Sequence, residues 1–327
     1  MAVVEVNNLK KYYKVHQKEE GVAGSLKALF SRKYTDVKAV DDISFNLDEG
    51  ELVGFIGPNG AGKTTTLKCL SGLLYPSAGE VTVLGYKPFD RKTNFLKQIS
   101  IIMGQKNQLW WDLPAIETFN LNKEIYEVPT KQYQETLSQL TDMLEVKNLL
   151  KVQVRKLSLG ERMKMELIAG VIHSPKVFFL DEPTIGLDVI MQKKLRQFIK
   201  DYNQKYKATI ILTSHYMDDV KELCKRVILI DKGRLVFDNG LDELIHKVAN
   251  HKLLTIALDK PVDMSQLEEL GEVVEYSYPK VVLKIKREDI IDQSTKAIQS
   301  LQVSDITVEE PKIEDVIREV FTGKDAA

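Results

Sequence analysis

The chain has 327 residues, of which 43% are hydrophobic and 28% charged, and its formal net charge is −1. That length suggests one large domain plus something smaller, with enough apolar residues for a packed core. The balanced charge gives no general pull toward nucleic acid or an anionic membrane, so no nucleic-acid partner is expected.

Reading from the N-terminus, Met1 to Glu20 lacks the apolar core of a signal peptide. Val3 to Val6 alternates as a strand and leads into Tyr12-Tyr13, either of which could stack on a flat ring or simply be half-buried. Lys14 to Lys38 is polar and basic, with a short helical pattern at Ser25 to Tyr34 that places Leu26, Leu29 and Phe30 on one side. Two readings are open for this insertion: a membrane or partner contact, or, favoured, a surface elaboration packed on its own domain. Asp41 to Val53, turning at Glu49-Gly50-Glu51, reads as a hairpin that feeds the next stretch.

That stretch is the most informative in the chain. The apolar run Leu52 to Ile56 breaks at Gly57-Pro58-Asn59-Gly60-Ala61-Gly62-Lys63-Thr64-Thr65 and opens into a helical pattern. Gly57 to Thr64 fits G-x-x-x-x-G-K-[ST] at every fixed position, the P-loop signature. Glycines leave no Cβ in the way, so successive N–H groups can curl around phosphate oxygens. The helix that follows aims its unsatisfied N–H groups and positive dipole end at the same anion. Lys63 is placed to reach the β- and γ-phosphates, and the Thr64 hydroxyl to ligate Mg²⁺. A nucleoside triphosphate is the expected ligand.

Gly79 to Gly85 and Ile99 to Met103 read as strands, the second ending at Gly104-Gln105. From Asp112 to Leu150 the spacing is helical, with Leu137, Leu140, Met143 and Leu144 sharing a side, which suggests a helical subdomain inserted in the core. Trp110-Trp111 either fill the core of that subdomain or form a docking surface. Leu157-Ser158-Leu159-Gly160-Glu161 opens a helix that runs through Ile172. Val177 to Leu180 is a strand of the kind buried on both faces, and it ends in Asp181-Glu182. Such a pair alone would be a solvated turn. Beside a P-loop, Asp181 falls where open α/β sheets place ligands and would hold Mg²⁺ through water or a Thr64 hydrogen bond. Glu182 would orient and polarise the attacking water.

Gly186-Leu187-Asp188 opens a helix carrying Leu195, Phe198 and Ile199. The strand Thr209 to Thr213 ends at Ser214-His215, and a second strand of this type beside a phosphate site makes His215 a candidate γ-phosphate contact. Val227 to Ile230 and Arg234 to Phe237 flank a hairpin turn at Asp231-Lys232-Gly233. Beyond Asn250 strand and helix patterns alternate, ending in Ile313, Val316, Ile317, Val320 and Phe321 on one face. This is the pattern of a small accessory α+β domain, residues 250–327, behind a main domain, residues 1–247. Two cysteines, Cys69 and Cys224, form no metal motif and no disulfide framework, which suits a reducing cytoplasm. No window holds about eighteen apolar residues in a row, so work at a membrane would need another chain to cross it.

Over roughly Val3 to Lys247 the order of these parts resembles the ATP-binding subunit of an ABC transporter. The matching pieces are the P-loop, Gln105, Leu157 to Glu161, Asp181-Glu182, Gly186-Leu187-Asp188 and His215. The resemblance implies an α/β P-loop NTPase core with a mixed sheet and a helical subdomain spanning about residues 106–172. It implies that Gln105 ligates Mg²⁺, senses the γ-phosphate and links to the helical subdomain, and that His215 contacts the γ-phosphate. Tyr13 falls where the family places its adenine-stacking aromatic, with Tyr12 as the alternative. It further implies two such chains, copies or close relatives, sandwiching two ATP molecules, with Ser158 and Gly160 of one facing the P-loop of the other. Integral-membrane permease subunits would complete the machine, with this chain peripheral on the cytoplasmic face.

One departure stands out. The family signature is usually Leu-Ser-Gly-Gly-Gln, whereas Leu159 and Glu161 occupy its third and fifth positions here. A carboxylate about 4 Å from a phosphate charge is worth up to about 4 kcal/mol of repulsion at a dielectric near 20. Glu161 is therefore expected to point away or to pair with Arg162 or Lys164. The leading reading is the engine of an exporter. A soluble ATPase acting on ribosomes or DNA usually carries two ATPase domains or a long coiled-coil insertion, and the sequence shows neither. A regulatory module without turnover is the third class, and intact Glu182 and His215 argue against it.

Overall fold

The computed structural model describes residues 2–16, 34–104 and 106–322. Gln105 and residues 17–33, which hold nearly all of the expected helical insertion, lie outside the described residues. The described chain divides into two compact units, residues 1–239 and 240–327.

The first unit holds two sheets. β1 (Ala2–His16) pairs antiparallel with β2 (Tyr34–Asp48) on one edge and with β4 (Ala78–Val83) on the other. β2 alternates buried Ile43, Phe45 and Leu47 with exposed residues, as a sheet with one covered face requires. Its first five residues are exposed throughout, and these pair with the end of β1, Lys14 opposite Asp36 and His16 opposite Tyr34. The ends of the basic stretch, residues 14–16 and 34–38, are therefore strand rather than insertion. With solvent on both sides, such an arm needs cross-strand hydrogen bonds but no apolar pattern, which is why composition hid it.

The second sheet has six strands in the order β5-β6-β7-β3-β8-β9. These are β3 (Leu52–Ile56), β5 (Ile99–Met103), β6 (Val177–Asp181), β7 (Thr209–Thr213), β8 (Arg226–Asp231) and β9 (Arg234–Gly240). β5 to β8 and β3 pair in parallel, and every residue of β6 and β7 is buried. The expected hairpin of Asp41–Val53 is corrected here: β2 pairs with β1, whereas β3 crosses to the parallel sheet. The turn at Glu49-Gly50-Glu51 connects two sheets instead of two neighbours.

Helix α1 (Lys63–Leu70) touches β2 and β4 of the smaller sheet and β6 of the larger. One apolar cluster joins Val4, Leu9, Ile43 and Phe45 to Leu67, Phe55, Phe179 and Ile228, so the helix after the P-loop is fixed between both sheets. Between β5 and β6 come α2 (Ala115–Ile125), α3 (Thr130–Met143) and α4 (Leu159–Val171). Phe119, Leu140, Leu144 and Val146 are buried there, whereas Trp110 and Trp111 are 49% and 47% exposed. The tryptophans are thus surface residues, and the core-filling alternative is excluded. After β6, α5 (Val189–Tyr206) packs against α6 (Met217–Leu223).

The second unit is an antiparallel sheet in the order β11-β12-β10-β13: β10 (His251–Leu258), β11 (Glu272–Ser277), β12 (Lys280–Lys286) and β13 (Val303–Glu309). Helices α7 (Leu241–Val248) and α9 (Ile313–Thr322) contact each other, and α8 (Ile290–Ser300) lies against the sheet. Leu254, Ile256, Leu267, Val281, Leu283, Ile285 and Ala297 give the unit its own apolar core.

Candidate active site

The parallel sheet brings the C-terminal ends of β3, β6 and β7 side by side, with Asp181 in register with Thr213. The turn from β3 into α1 needs two glycines for steric reasons. A Cβ on Gly57 would lie 2.2 Å from the Ile230 carbonyl oxygen, and one on Gly62 would lie 2.3 Å from that of Ala39. Gly62 is also the N-cap of α1, with φ 106°. No acidic residue occupies the first turn of α1, so nothing there competes with an anion for the helix N–H groups. Lys63 Nζ donates to the carbonyls of Gly57 at 2.6 Å and Pro58 at 3.1 Å, folding the lysine back over the loop. Burial lowers the pKa of its ammonium, while the charges of Glu182 and Asp181 push it the other way.

Asp181 is the meeting point of three elements. Thr64 Oγ1 donates to its Oδ2 at 2.8 Å, and Thr213 Oγ1 donates to its Oδ1 at 2.7 Å. Thr64 and Asp181 form a small oxygen-rich pair at the mouth of the P-loop, a donor set suited to a hard cation such as Mg²⁺. The next residue, Glu182, adopts φ 55°, a left-handed conformation that costs a non-glycine residue about 1–2 kcal/mol. Its N–H is anchored by both the carbonyl and the hydroxyl of Thr213, each at 3.1 Å. The bend turns the Glu182 carboxylate toward His215, whose Nε2 lies 2.7 Å from Oε1. Gly104 fits against this bend, because a Cβ there would be 2.1 Å from the Glu182 carbonyl oxygen.

The two N-terminal tyrosines have different surroundings. The Tyr12 hydroxyl donates to Asp41 Oδ1, and Lys38 sits over its ring at 5.4 Å. Together with Arg234, that contact holds the Asp41 carboxyl down to about 2. Tyr13 is 37% exposed, with the Lys11 ammonium over its ring at 5.3 Å. Tyr12 is committed to its own hairpin, whereas Tyr13 is, among the described residues, bonded to no other side chain by its hydroxyl and partly exposed.

Ser158 and Gly160 are not part of this cluster. They lie at the N-terminus of α4, where Ser158 is the N-cap. A Cβ on Gly160 would be 2.8 Å from Met191 Cε, and Leu159 Cδ2 lies where a side chain on Gly186 would go. Among the described residues Glu161 forms no ion pair with Arg162 or Lys164. Its Oε2 accepts from the Ser158 N–H at 2.9 Å and from the Ser158 hydroxyl at 2.8 Å, closing a capping box. The Arg162 guanidinium instead lies over the Trp111 ring at 5.6 Å.

Several supporting residues carry no motif of their own. Asp219, fully buried, accepts from Thr184 Oγ1, Ser214 Oγ at 2.6 Å and Arg196 Nη1 at 3.0 Å. It thereby ties the chain after Glu182 to the chain before His215. Glu166, also buried, accepts from the N–H groups of Gln108 at 3.0 Å and Leu109 at 3.4 Å, and burial raises its carboxyl pKa. A carboxylate amid Met163, Met165, Leu167 and Ile168 was the sequence signal for Glu166.

With this geometry in view, comparison with known proteins is specific. An ABC transporter family model matches residues 40–185, and a model for the C-terminal domain of EvrA-like ABC transporters matches residues 250–309. The ABC transporter ATP-binding protein NatA of Bacillus subtilis is 31% identical over 236 residues, 71% of this chain and 96% of NatA. The bacitracin transport ATP-binding protein BcrA of Bacillus licheniformis is 31% identical over 228 residues, 70% of this chain and 72% of BcrA. Among solved structures, an ATP-binding subunit of an ABC transporter matches with a TM-score of 0.62 at 24% identity, covering 75% of this chain and 92% of that one. A dimeric ATP-binding cassette in a post-hydrolysis state with ADP and Pi matches with a TM-score of 0.60 at 22% identity, covering 72% and 98%. The chain belongs to the ABC transporter ATP-binding family. It is an ATP-binding subunit of the ABC ATPase class, built on the P-loop NTPase fold.

Proposed function

We propose that this chain hydrolyses MgATP at the P-loop and uses the reaction to drive export through separate permease subunits, from the cytoplasmic face of the membrane. The observation that carries the catalytic part is the convergence of Thr64, Asp181, Thr213, Glu182 and His215 at neighbouring strand ends. In this reading Gly57 to Thr65 wraps the phosphates, with Lys63 leaving its loop carbonyls for the β- and γ-oxygens. Thr64 and Asp181, with Gln105, would hold Mg²⁺, which neutralises charge on the phosphates. Glu182 accepts a hydrogen bond from the attacking water, and His215 fixes the Glu182 carboxylate and reaches the γ-phosphate. Tyr13 stacks on the adenine.

A second copy or a close relative supplies Ser158 and Gly160 across the nucleotide, since one chain carries one P-loop and one signature. The transport role is supported by the names of relatives: BcrA is a bacitracin transport ATP-binding protein, and YbhF of Escherichia coli is a probable multidrug ABC transporter ATP-binding protein, 30% identical over 220 residues, 67% of this chain and 38% of YbhF. Among the described residues no helix is long and apolar enough to cross a membrane, so the permease would be another chain. Exposed Trp110 and Trp111, on the loop held by Glu166, are the proposed docking surface. Residues 1–239 are assigned to the catalytic domain, with a helical subdomain at about 106–172, and residues 240–327 to an accessory domain, which takes in α7 because that helix contacts α9; the boundary expected near residue 247 moves back accordingly.

The Glu182→Gln variant tests the core of this reading. It should bind ATP as the unaltered chain does while phosphate release falls at least about 100-fold, the usual contribution of a positioned base. Phosphate release at the normal rate would remove Glu182 from its role.

A further inference from the structure

In the proposed sandwich, Ser158 meets the γ-phosphate bound to the other molecule, yet its donors are already engaged within its own chain. The N–H and the hydroxyl both donate to one oxygen of Glu161, at 2.9 and 2.8 Å, while the Glu161 N–H donates back to Ser158 Oγ at 3.3 Å. A hydroxyl has one proton and an amide one N–H, so neither can serve Glu161 and a phosphate oxygen together. Those two bonds also hold the Glu161 carboxyl below the ordinary carboxylate range, so it is ionised at neutral pH. Among the described residues no cation contacts that carboxylate directly: Lys164 acts on it only through space, Arg162 lies over Trp111, and Lys194 faces Glu145.

We propose that Glu161 is an internal plug in the signature: its carboxylate occupies the Ser158 donors that a partner-bound γ-phosphate takes on closure, and so sets the ATP concentration at which two chains close. Closure then consists of an exchange, in which one anion leaves the N-terminus of α4 as another arrives. A glutamine in the same place can still cap the helix, but its bonds are neutral and roughly half as strong, and it does not repel phosphate. The plug raises the nucleotide requirement of the closed state without touching the P-loop. The inference rests on the ATP-sandwich reading above.

The test uses the full chain in the Glu182→Gln background, where ATP is not consumed, with and without Glu161→Gln. Sedimentation velocity across an ATP titration reads the concentration at half-maximal dimer. Adding Glu161→Gln should lower it about tenfold, equivalent to about 1.4 kcal/mol. In a Ser158→Ala background the same change should gain less than about threefold, because the hydroxyl contested by the two anions is gone. A full tenfold gain without the Ser158 hydroxyl would overturn the plug in favour of general charge repulsion. Dimers that form at the same ATP concentration with either residue at 161 would overturn the plug and leave the sandwich standing. No ATP-dependent dimer in any variant would overturn both.

Discussion

Lys63 shows what a single residue contributes before any ligand arrives. Its ammonium is buried and satisfied by two loop carbonyls, so it is stored in the site at little cost and can be handed to phosphate oxygens. The glycines around it differ in what they permit. Gly60 and Gly62 both have positive φ, at 81° and 106°, but among the described residues nothing lies within 4 Å of a Cβ at Gly60, whereas a carbonyl oxygen lies 2.3 Å away at Gly62. Gly60→Ala should therefore cost only the left-handed backbone penalty of about 1–2 kcal/mol. Gly62→Ala must also move β2 or the loop, so it should abolish measurable ATP binding and lower the unfolding midpoint. Fluorescent-nucleotide titration of both variants checks this, and equal affinities would show that the loop tolerates displacement.

At the scale of elements, the site depends on how strand ends are tied together after they leave the sheet. β6 and β7 are locked in register up to Asp181 and Thr213, but Glu182 and His215 lie beyond the last pair. Asp219 continues the connection, binding Thr184 from one side and Ser214 from the other, with Arg196 of α5 as its counter-charge. Removing it would strand a guanidinium that is 5% exposed and leave two buried hydroxyls without their acceptor. Asp219→Ala should lower the free energy of unfolding by about 3–5 kcal/mol, measured in urea. A loss below about 1 kcal/mol would mean that Glu222, also bonded to Arg196, suffices as its partner. Glu166 does similar work on the other flank, joining the helix that begins at the signature to the loop that carries the tryptophans.

The molecule as a whole joins two units with separate apolar cores. The second has its own four-stranded sheet with Leu254, Ile256, Val281 and Leu283 buried in it, and helices α7 and α9 contact each other within it. A fragment beginning at Gly240 should therefore unfold cooperatively in urea by itself, and residues 1–239 should keep nucleotide binding. A broad, non-cooperative transition for the fragment would show that its fold needs the first unit. The first unit, by contrast, cannot be cut between its two sheets, since one apolar cluster spans both around α1.

How far the sequence could be read followed the physics of each part. β6 and β7 were legible because a strand covered on both faces must be a continuous apolar run, and the P-loop because Gly57 and Gly62 leave no room for a side chain. The hairpin arm at residues 12–16 and 34–38 was not, since solvated strands leave no apolar trace. The pairing of β2 was misplaced for a different reason: adjacency in the chain favours a hairpin, and only the burial of α1 between two sheets separates β2 from β3. Asp219 looks like an ordinary helix carboxylate until its bonds to distant loops are known, whereas Glu166 stands out by its apolar neighbours but not by its partners.

By itself, then, the sequence determined the family, the ATP chemistry and the order of the parts, because each is written in local patterns with strict steric or charge requirements. Tertiary structure decided that Tyr12 rather than Tyr13 is tied to Asp41 and that the tryptophans are exposed, whereas the Glu161 cap on Ser158 is a local contact that the S-x-x-E spacing already allowed. The bond of Tyr12 to Asp41 and the exposure of the tryptophans depend on which distant segments the fold brings together, and no spacing along a single chain encodes that.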